Sequence, residues 1–247
     1  MRLSATAALL LGLTTVAGAQ TAHWSYHGKT GALEWGHLNP AWRVCEKGHE
    51  QSPIDIRGAR LDTGLQPIQF HYIAGEVTVA NDGNAIVVHV DPGSFIVAGG
   101  VRYNLVEFTF HHPSEHAIRG RLADMEVDFL HRGAGGKIVM LGVLFNEEMS
   151  YPNAAVAQIW AHLPTKAGAS QRITDMVDPG GLFPSDRGYW TYTGSLLHPP
   201  CTENVQWYIF EQPLTVSREQ LRALTAIFKM NTRPIQDPHG RKIEADE

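Results

Sequence analysis

The chain has 247 residues, 43% of them hydrophobic and 18% charged, with 24 glycines and 14 prolines, a composition that fits one folded domain and excludes disordered and fibrous classes. Twenty Lys and Arg against 25 Asp and Glu give a formal charge of −5, and no basic run is long enough to follow a phosphate backbone, which argues against nucleic acid as a partner. A small neutral or anionic metabolite remains open.

At the start of the chain, Arg2 precedes an apolar run from Ala5 to Val16 and then Ala17-Gly18-Ala19. A charged start, an apolar middle and a small-residue end together make a secretory signal peptide. Cleavage is expected after Ala19, leaving a single domain at 20–247 with a formal charge of −6, because the leader at 1–19 carries one Arg and no acid. The run is shorter than the roughly 20 residues a membrane span needs, and no later stretch qualifies. The mature chain is therefore expected to be exported, with no membrane span. Its two cysteines, Cys45 and Cys201, then meet an oxidising compartment, and a disulfide between them is predicted over the alternative of two buried free thiols.

Short alternating or apolar runs fill the middle of the chain: Val77 to Ala80, Ala85 to Val90, Leu105 to Phe110, Met125 to His131 and Lys137 to Phe145. Turn signals such as Asn81-Asp82-Gly83-Asn84 and Gly133-Ala134-Gly135-Gly136 separate them. These connections are too short for crossover helices, so the strands are predicted to pair largely antiparallel. Helical pattern occurs at Asn153 to His162 and at Ser217 to Lys229, the latter opened by a capping box of Ser217 with Gln220. The predicted class is mainly β within α+β, a large twisted sheet with peripheral helices.

Thirteen histidines are present, most densely at His111, His112 and His116. Successive strand residues point to opposite faces, so Glu107, Thr109 and His111 share one face while His112 takes the other. On the next strand Glu126, Asp128 and Leu130 share a face. Where the two faces meet, a pocket floor would hold one imidazole, one hydroxyl and three carboxyls. A two-histidine metal site on the first strand needs His at i and i+2, and position 109 is Thr.

Several longer motifs are more specific: His23-Trp24-Ser25-Tyr26, Gln51-Ser52-Pro53-Ile54-Asp55-Ile56, Phe108-Thr109-Phe110-His111, Ser114-Glu115-His116, Tyr189-Trp190-Thr191-Tyr192, Gly194-Ser195-Leu196 with Pro199-Pro200-Cys201, and Asn231-Thr232-Arg233-Pro234. In this order they resemble the α-class carbonic anhydrases of bacteria over nearly all of the mature chain. The resemblance implies a mainly antiparallel central sheet with a conical pocket, a Cys45 to Cys201 bridge, a periplasmic location and, often in bacterial members, a homodimer. The family's activity is zinc-dependent hydration of CO2 to bicarbonate.

That activity uses three histidines on zinc, two at i and i+2 on one strand and one on its neighbour, with water in the fourth position. The matching positions here read Thr109, His111 and Asp128. The family's gatekeeping threonine falls on Leu197, its glutamate partner is present as Glu115, and the proton-shuttling histidine of fast members falls on Asn84. Glu126 matches the residue that supports the third ligand, and Glu107 stands where the family has a glutamine. The pocket expected from the resemblance is completed by Leu130, Met140, Leu197, His198 and Trp207, with Tyr26 and Trp190 read as packing. Glu115 and His198 are the candidate catalytic groups.

A neutral Thr hydroxyl is not a usual zinc ligand, and an ionised Asp128 would lower the charge on the ion and leave less hydroxide at neutral pH. Three readings follow. The first is a carbonic-anhydrase-related protein without efficient CO2 hydration that keeps a pocket for a small-molecule ligand. The second is a carbonate dehydratase with an altered shell, in which His111 and Asp128 hold zinc or another divalent ion. The third recruits the pocket's acids and bases to another substrate. No cofactor is required by the first reading; in it, a protonated His111 pairs with Asp128, while Glu107 and Glu126 share protons or hydrogen bonds.

Overall fold

The computed structural model describes residues 23–149 and 152–246, so the expected leader at 1–19 lies outside the described residues. Each of the five predicted strands forms where β-branched and aromatic residues alternate. They are β1 (Gly75–Asn81), β2 (Ile86–Val90), β3 (Val101–His111), β4 (Met125–Gly133) and β5 (Ile138–Glu148). Three further long strands follow: β6 (Ser170–Val177), β7 (Tyr189–Ser195) and β8 (Glu203–Phe210). The main path through a 13-stranded sheet runs β6-β1-β2-β3-β4-β5-β8-β7, extended by the short strands Glu244–Ala245 and Arg60–Leu61.

From β6 to β5 every pair is antiparallel, and β1 to β5 are paired in the order in which they follow along the chain. The sheet becomes mixed at β5 and β8, which run parallel. The long stretch between those two strands carries a helix and the strands β6 and β7, and leaves ample chain for the crossover that a parallel pair requires. Between β1 and β2 the turn is built by side chains: Asn81 Oδ1 accepts the Gly83 amide at 3.0 Å, and Asp82 Oδ1 accepts the amides of Asn84 and Ala85 at 2.7 Å each. Gly83 sits at φ +94°, a region a side chain disfavours.

Alternation then sorts the sheet into two faces. On one, Val88, Phe108, Phe110, Val127, Phe129, Leu141 and Val143 form a dry core. Two helices cover it, α1 (Ala154–Trp160) and α2 (Arg218–Thr225), through Val156, Ile159, Leu221 and Leu224. Asn153 caps α1 by accepting the Val156 amide at 3.1 Å, and Ser217 with Gln220 forms the predicted capping box on α2. The second helix stops four residues before the predicted Lys229. Its last amides, Ile227 and Phe228, both bond the Leu224 carbonyl at 2.9 Å, which tightens the final turn and swings these apolar side chains onto the core. No helix among the described residues is long and apolar enough to cross a membrane.

The opposite face of β2 to β5 carries the polar residues and faces the amino-terminal segment. That segment packs as Tyr26, Trp35 and Cys45 against Cys201, with Trp24 and Trp42 at the edge. A disulfide joins Cys45 to Cys201, 156 residues apart in sequence, with Cα atoms 5.1 Å apart.

Candidate functional site

A cavity of about 230 Å³ opens on the polar face of the sheet. Strand register sets its floor. Asp128 on β4 pairs directly with Thr109 on β3, and Leu130 with Glu107; on the other flank, Val87 and His89 of β2 pair with Thr109 and Glu107. Period-two alternation therefore brings Val87, His89, Glu107, Thr109, His111, Asp128 and Leu130 to one surface. Met140 enters from β5, opposite Leu130. The roof comes from distant chain: Trp24 and Tyr26 from the amino-terminal segment, Asp82 from the β1–β2 turn, and Leu196, Leu197 and His198 from the loop after β7. The His198 ring lies parallel to Trp24, with centroids 5.7 Å apart.

The floor is a set of buried polar groups with fixed roles. His111 is 4% exposed, and burial lowers its pKa to about 4 against a smaller opposing effect of its backbone hydrogen bond. The ring is therefore neutral at neutral pH. Its Nδ1–H donates to the Asn231 carbonyl at 2.9 Å, which leaves a lone pair on Nε2 directed to the floor. Asp128 Oδ2 stands 3.6 Å from that nitrogen. Burial, then the adjacent charges of Glu126 and Glu115, push the Asp128 carboxyl well above the ordinary carboxylate range. Neither of its oxygens has a hydrogen-bond partner of normal length.

This corrects the expected ion pair. The two groups do face each other at 3.6 Å, but burial disfavours both charges, lowering the His111 pKa to about 4 and pushing the Asp128 carboxyl up. The expected sharing between Glu107 and Glu126 is also absent. Glu107 contacts His89 Nδ1 at 3.0 Å. Glu126 instead turns to His116, accepting the backbone N–H at 2.8 Å and bonding ring Nδ1 at 2.7 Å. Burial alone would raise the Glu126 pKa, but His116 outweighs it and holds the carboxyl below its usual value.

Among the candidate pocket residues, Glu107, Thr109, His111, Asp128, Leu130, Met140, Leu197 and His198 line this cavity, whereas Asn84, Glu126 and Trp207 do not. Glu126 and Trp207 are fully buried behind the floor. Trp207 donates its indole N–H to Ser195 at 2.9 Å and packs on His116, with centroids 4.8 Å apart. Asn84 turns away toward the Trp24 carbonyl, 3.5 Å off. Glu115 is 1% exposed and also lies behind the floor; it accepts the Arg233 amide at 3.0 Å, and burial pushes its pKa well up. Among the described residues, no group of three or more His, Cys, Asp and Glu side chains is placed to hold a metal ion.

Sequence reasoning missed Trp24, Asp82, Ala85, Val87, His89 and Leu196, and read Tyr26 as packing only. Val87 and His89 were findable, because alternation along β2 aims them at the same face as Thr109 and Glu107. Trp24 and Asp82 carry no such signal, since their place depends on where the amino-terminal segment lands and how one turn bends.

Comparison with known proteins agrees with this architecture. Residues 30–247 match the model of the family described as eukaryotic-type carbonic anhydrase. A carbonic anhydrase of Klebsiella pneumoniae is 35% identical over 225 residues, covering 90% of this chain and 90% of its own. The solved α-carbonic anhydrase of Thermovibrio ammonificans, in complex with the inhibitor sulfanilamide, superposes with a TM-score of 0.87 at 36% identity, covering 91% of this chain and all of the other. A solved dioscorin complexed with ascorbate gives a TM-score of 0.84 at 28% identity, covering 90% of this chain and 97% of the other. Fold and sequence thus agree across nearly the whole described length, and the chain belongs to the α-carbonic anhydrase family.

Proposed function

We propose that this protein uses the family's pocket to bind a small ligand and does not hydrate CO2 efficiently. The carrying observation is the donor set on the floor: one imidazole nitrogen, one neutral hydroxyl and one carboxyl, from His111, Thr109 and Asp128. The 3.6 Å between His111 Nε2 and Asp128 Oδ2 is close to the roughly 3.4 Å edge of a zinc tetrahedron with bonds of about 2.0–2.1 Å, so two vertices are available. The third would have to come from Thr109, whose neutral hydroxyl is a poor zinc donor. Burial, and then the charge of Glu126, push the Asp128 carboxyl up and so disfavour the ionised form a metal would need. The residues present do not fit a catalytic zinc.

The rest of the cavity agrees. Leu197, 4% exposed, offers neither a donor nor an acceptor where a hydroxyl would orient a nucleophile, and Glu115 is engaged with the Arg233 backbone. Ligand binding is a documented use of this fold, since the related dioscorin was solved with ascorbate. The leader-like segment at 1–19 and the Cys45–Cys201 disulfide support export to the periplasm.

Metal analysis and a stopped-flow CO2 hydration assay on the same preparation test the reading. Substoichiometric zinc after dialysis, with hydration at background even when zinc is added, is the expected result. One tightly held zinc per chain with rapid bicarbonate formation would refute it.

A further inference from the structure

The cavity also specifies the class of molecule it takes, an inference that rests on the ligand-binding reading above. Among the described residues, its lining contains no Lys and no Arg. Arg233, the buried guanidinium nearest the amino-terminal wall, is spent on the carbonyls of Ser52 and Cys45 at 2.7 Å each. The acidic side chains lining the cavity are Asp82, Glu107 and Asp128.

At the floor, His111 and Asp128 offer acceptor atoms beside the Thr109 hydroxyl, which can donate or accept. His111 Nδ1 is committed to Asn231, so Nε2 offers a lone pair. Asp128 is 2% exposed, and both of its oxygens lack a partner. Buried acceptors of this kind recover their lost hydration only when a donor reaches them. Glu107 and Asp82 add acidic character to the lining, the rings of Trp24 and Tyr26 add aromatic surface, and Val87, Leu130 and Leu197 add apolar wall.

We infer that the pocket binds a small organic cation bearing N–H donors, an amidinium or a primary ammonium. Its head group donates to Asp128 and His111 Nε2, and its apolar body lies against Val87, Leu130 and Leu197. A planar amidinium presents two parallel N–H groups, the geometry a carboxylate accepts best. A carboxylate or other small anion would meet three acidic side chains, with no guanidinium or ammonium in the lining to balance it.

The test is calorimetric titration of the full chain at pH 7 with benzamidinium, its neutral isostere benzamide, and the anions benzoate and ascorbate. Benzamidinium is expected to bind at least tenfold more tightly than benzamide, with no detectable binding of either anion. In Asp128→Asn that preference should shrink to within threefold; the wild-type comparison of the two isosteres carries the test without any variant. Equal affinity for benzamide and benzamidinium, a preference for benzoate or ascorbate, or no binding by any of the four would overturn the cation inference while leaving the ligand-binding reading intact. Stoichiometric zinc with rapid CO2 hydration would bring down that reading as well.

Discussion

Glu126 gives both of its carboxylate oxygens to His116, one to the backbone N–H at 2.8 Å and the other to ring Nδ1 at 2.7 Å. The far side of the same ring bonds the Tyr192 hydroxyl at 2.7 Å, and that hydroxyl bonds Ser52 Oγ at 2.8 Å. A chain of buried hydrogen bonds thus ties β4 to β7 behind the cavity. Removing the carboxyl in Glu126→Ala strands two donors in a dry site and is expected to cost about 2–4 kcal/mol in urea unfolding. Glu126→Gln keeps the shape and one acceptor and should cost about half as much.

Restoring the missing nitrogens tests how far the scaffold still supports a metal. Thr109 and Asp128 face each other across β3 and β4, with His111 two residues along, so Thr109→His with Asp128→His places three imidazoles on one surface. Zinc affinity by competition with a chromophoric chelator is expected to rise on the order of a hundredfold or more over the wild type. CO2 hydration should stay slow until Leu197→Thr is added.

Protonation of the floor leaves a signature in the pH dependence of stability. The Asp128 pKa is raised in the folded protein, so above its ordinary value near 3.8 the unfolded chain releases a proton that the folded chain keeps. The contribution of this residue is complete below that value and is lost as pH rises toward the folded pKa. Asp128→Asn removes the dependence. Its unfolding constant relative to the wild type is expected to improve with pH from about 4 upward, by as much as about tenfold per unit, in urea titrations at closely spaced pH values.

The histidines act in the opposite direction. His111 is lowered to about 4 and His131 to about 3, both chiefly by burial. Between 6.5 and those values the unfolded chain takes up protons that the folded chain refuses, so stability is lost as the solution is acidified through this window. His131→Gln, which retains a group able to meet the Tyr72 hydroxyl now 2.7 Å from Nε2, should flatten the acid limb by about one proton in the same titrations.

Gly142 lies opposite Asp128 on the neighbouring strand. A β-carbon there would fall 2.6 Å from Ile209 Cδ1 and 2.7 Å from Glu126 Oε1. Gly142→Ala is therefore expected to destabilise by about 1–3 kcal/mol through overpacking, read as a lowered Tm. It should also disturb the Glu126 to His116 contact, visible as shifted imidazole resonances.

How much of this was written in local sequence differs from one element to the next. Alternation placed Thr109, His111 and Asp128 on a shared surface correctly, because side-chain direction along a strand depends only on parity. The Asn81 to Asn84 turn was equally legible, since its hydrogen bonds stay within a few residues. The neutral state of His111 was not, because it depends on burial and on the Asn231 carbonyl 120 residues away. The parallel junction of β5 with β8 and the aromatic roof at Trp24 were also hidden, as both are set by how distant segments close on one another.

The Cys45–Cys201 bridge fastens the segment bearing Trp24 and Tyr26 to the loop that carries Leu196, Leu197 and His198. Both stretches line the cavity, and the Trp24 ring stacks on that of His198. A loop of this length stabilises by roughly 5 kcal/mol in the chain-entropy model, yet its local effect is to keep the aperture from gaping. Material produced in a reducing host would retain its strands while losing the calibre of its entrance, so oxidation state belongs among the variables to be fixed before any affinity is compared.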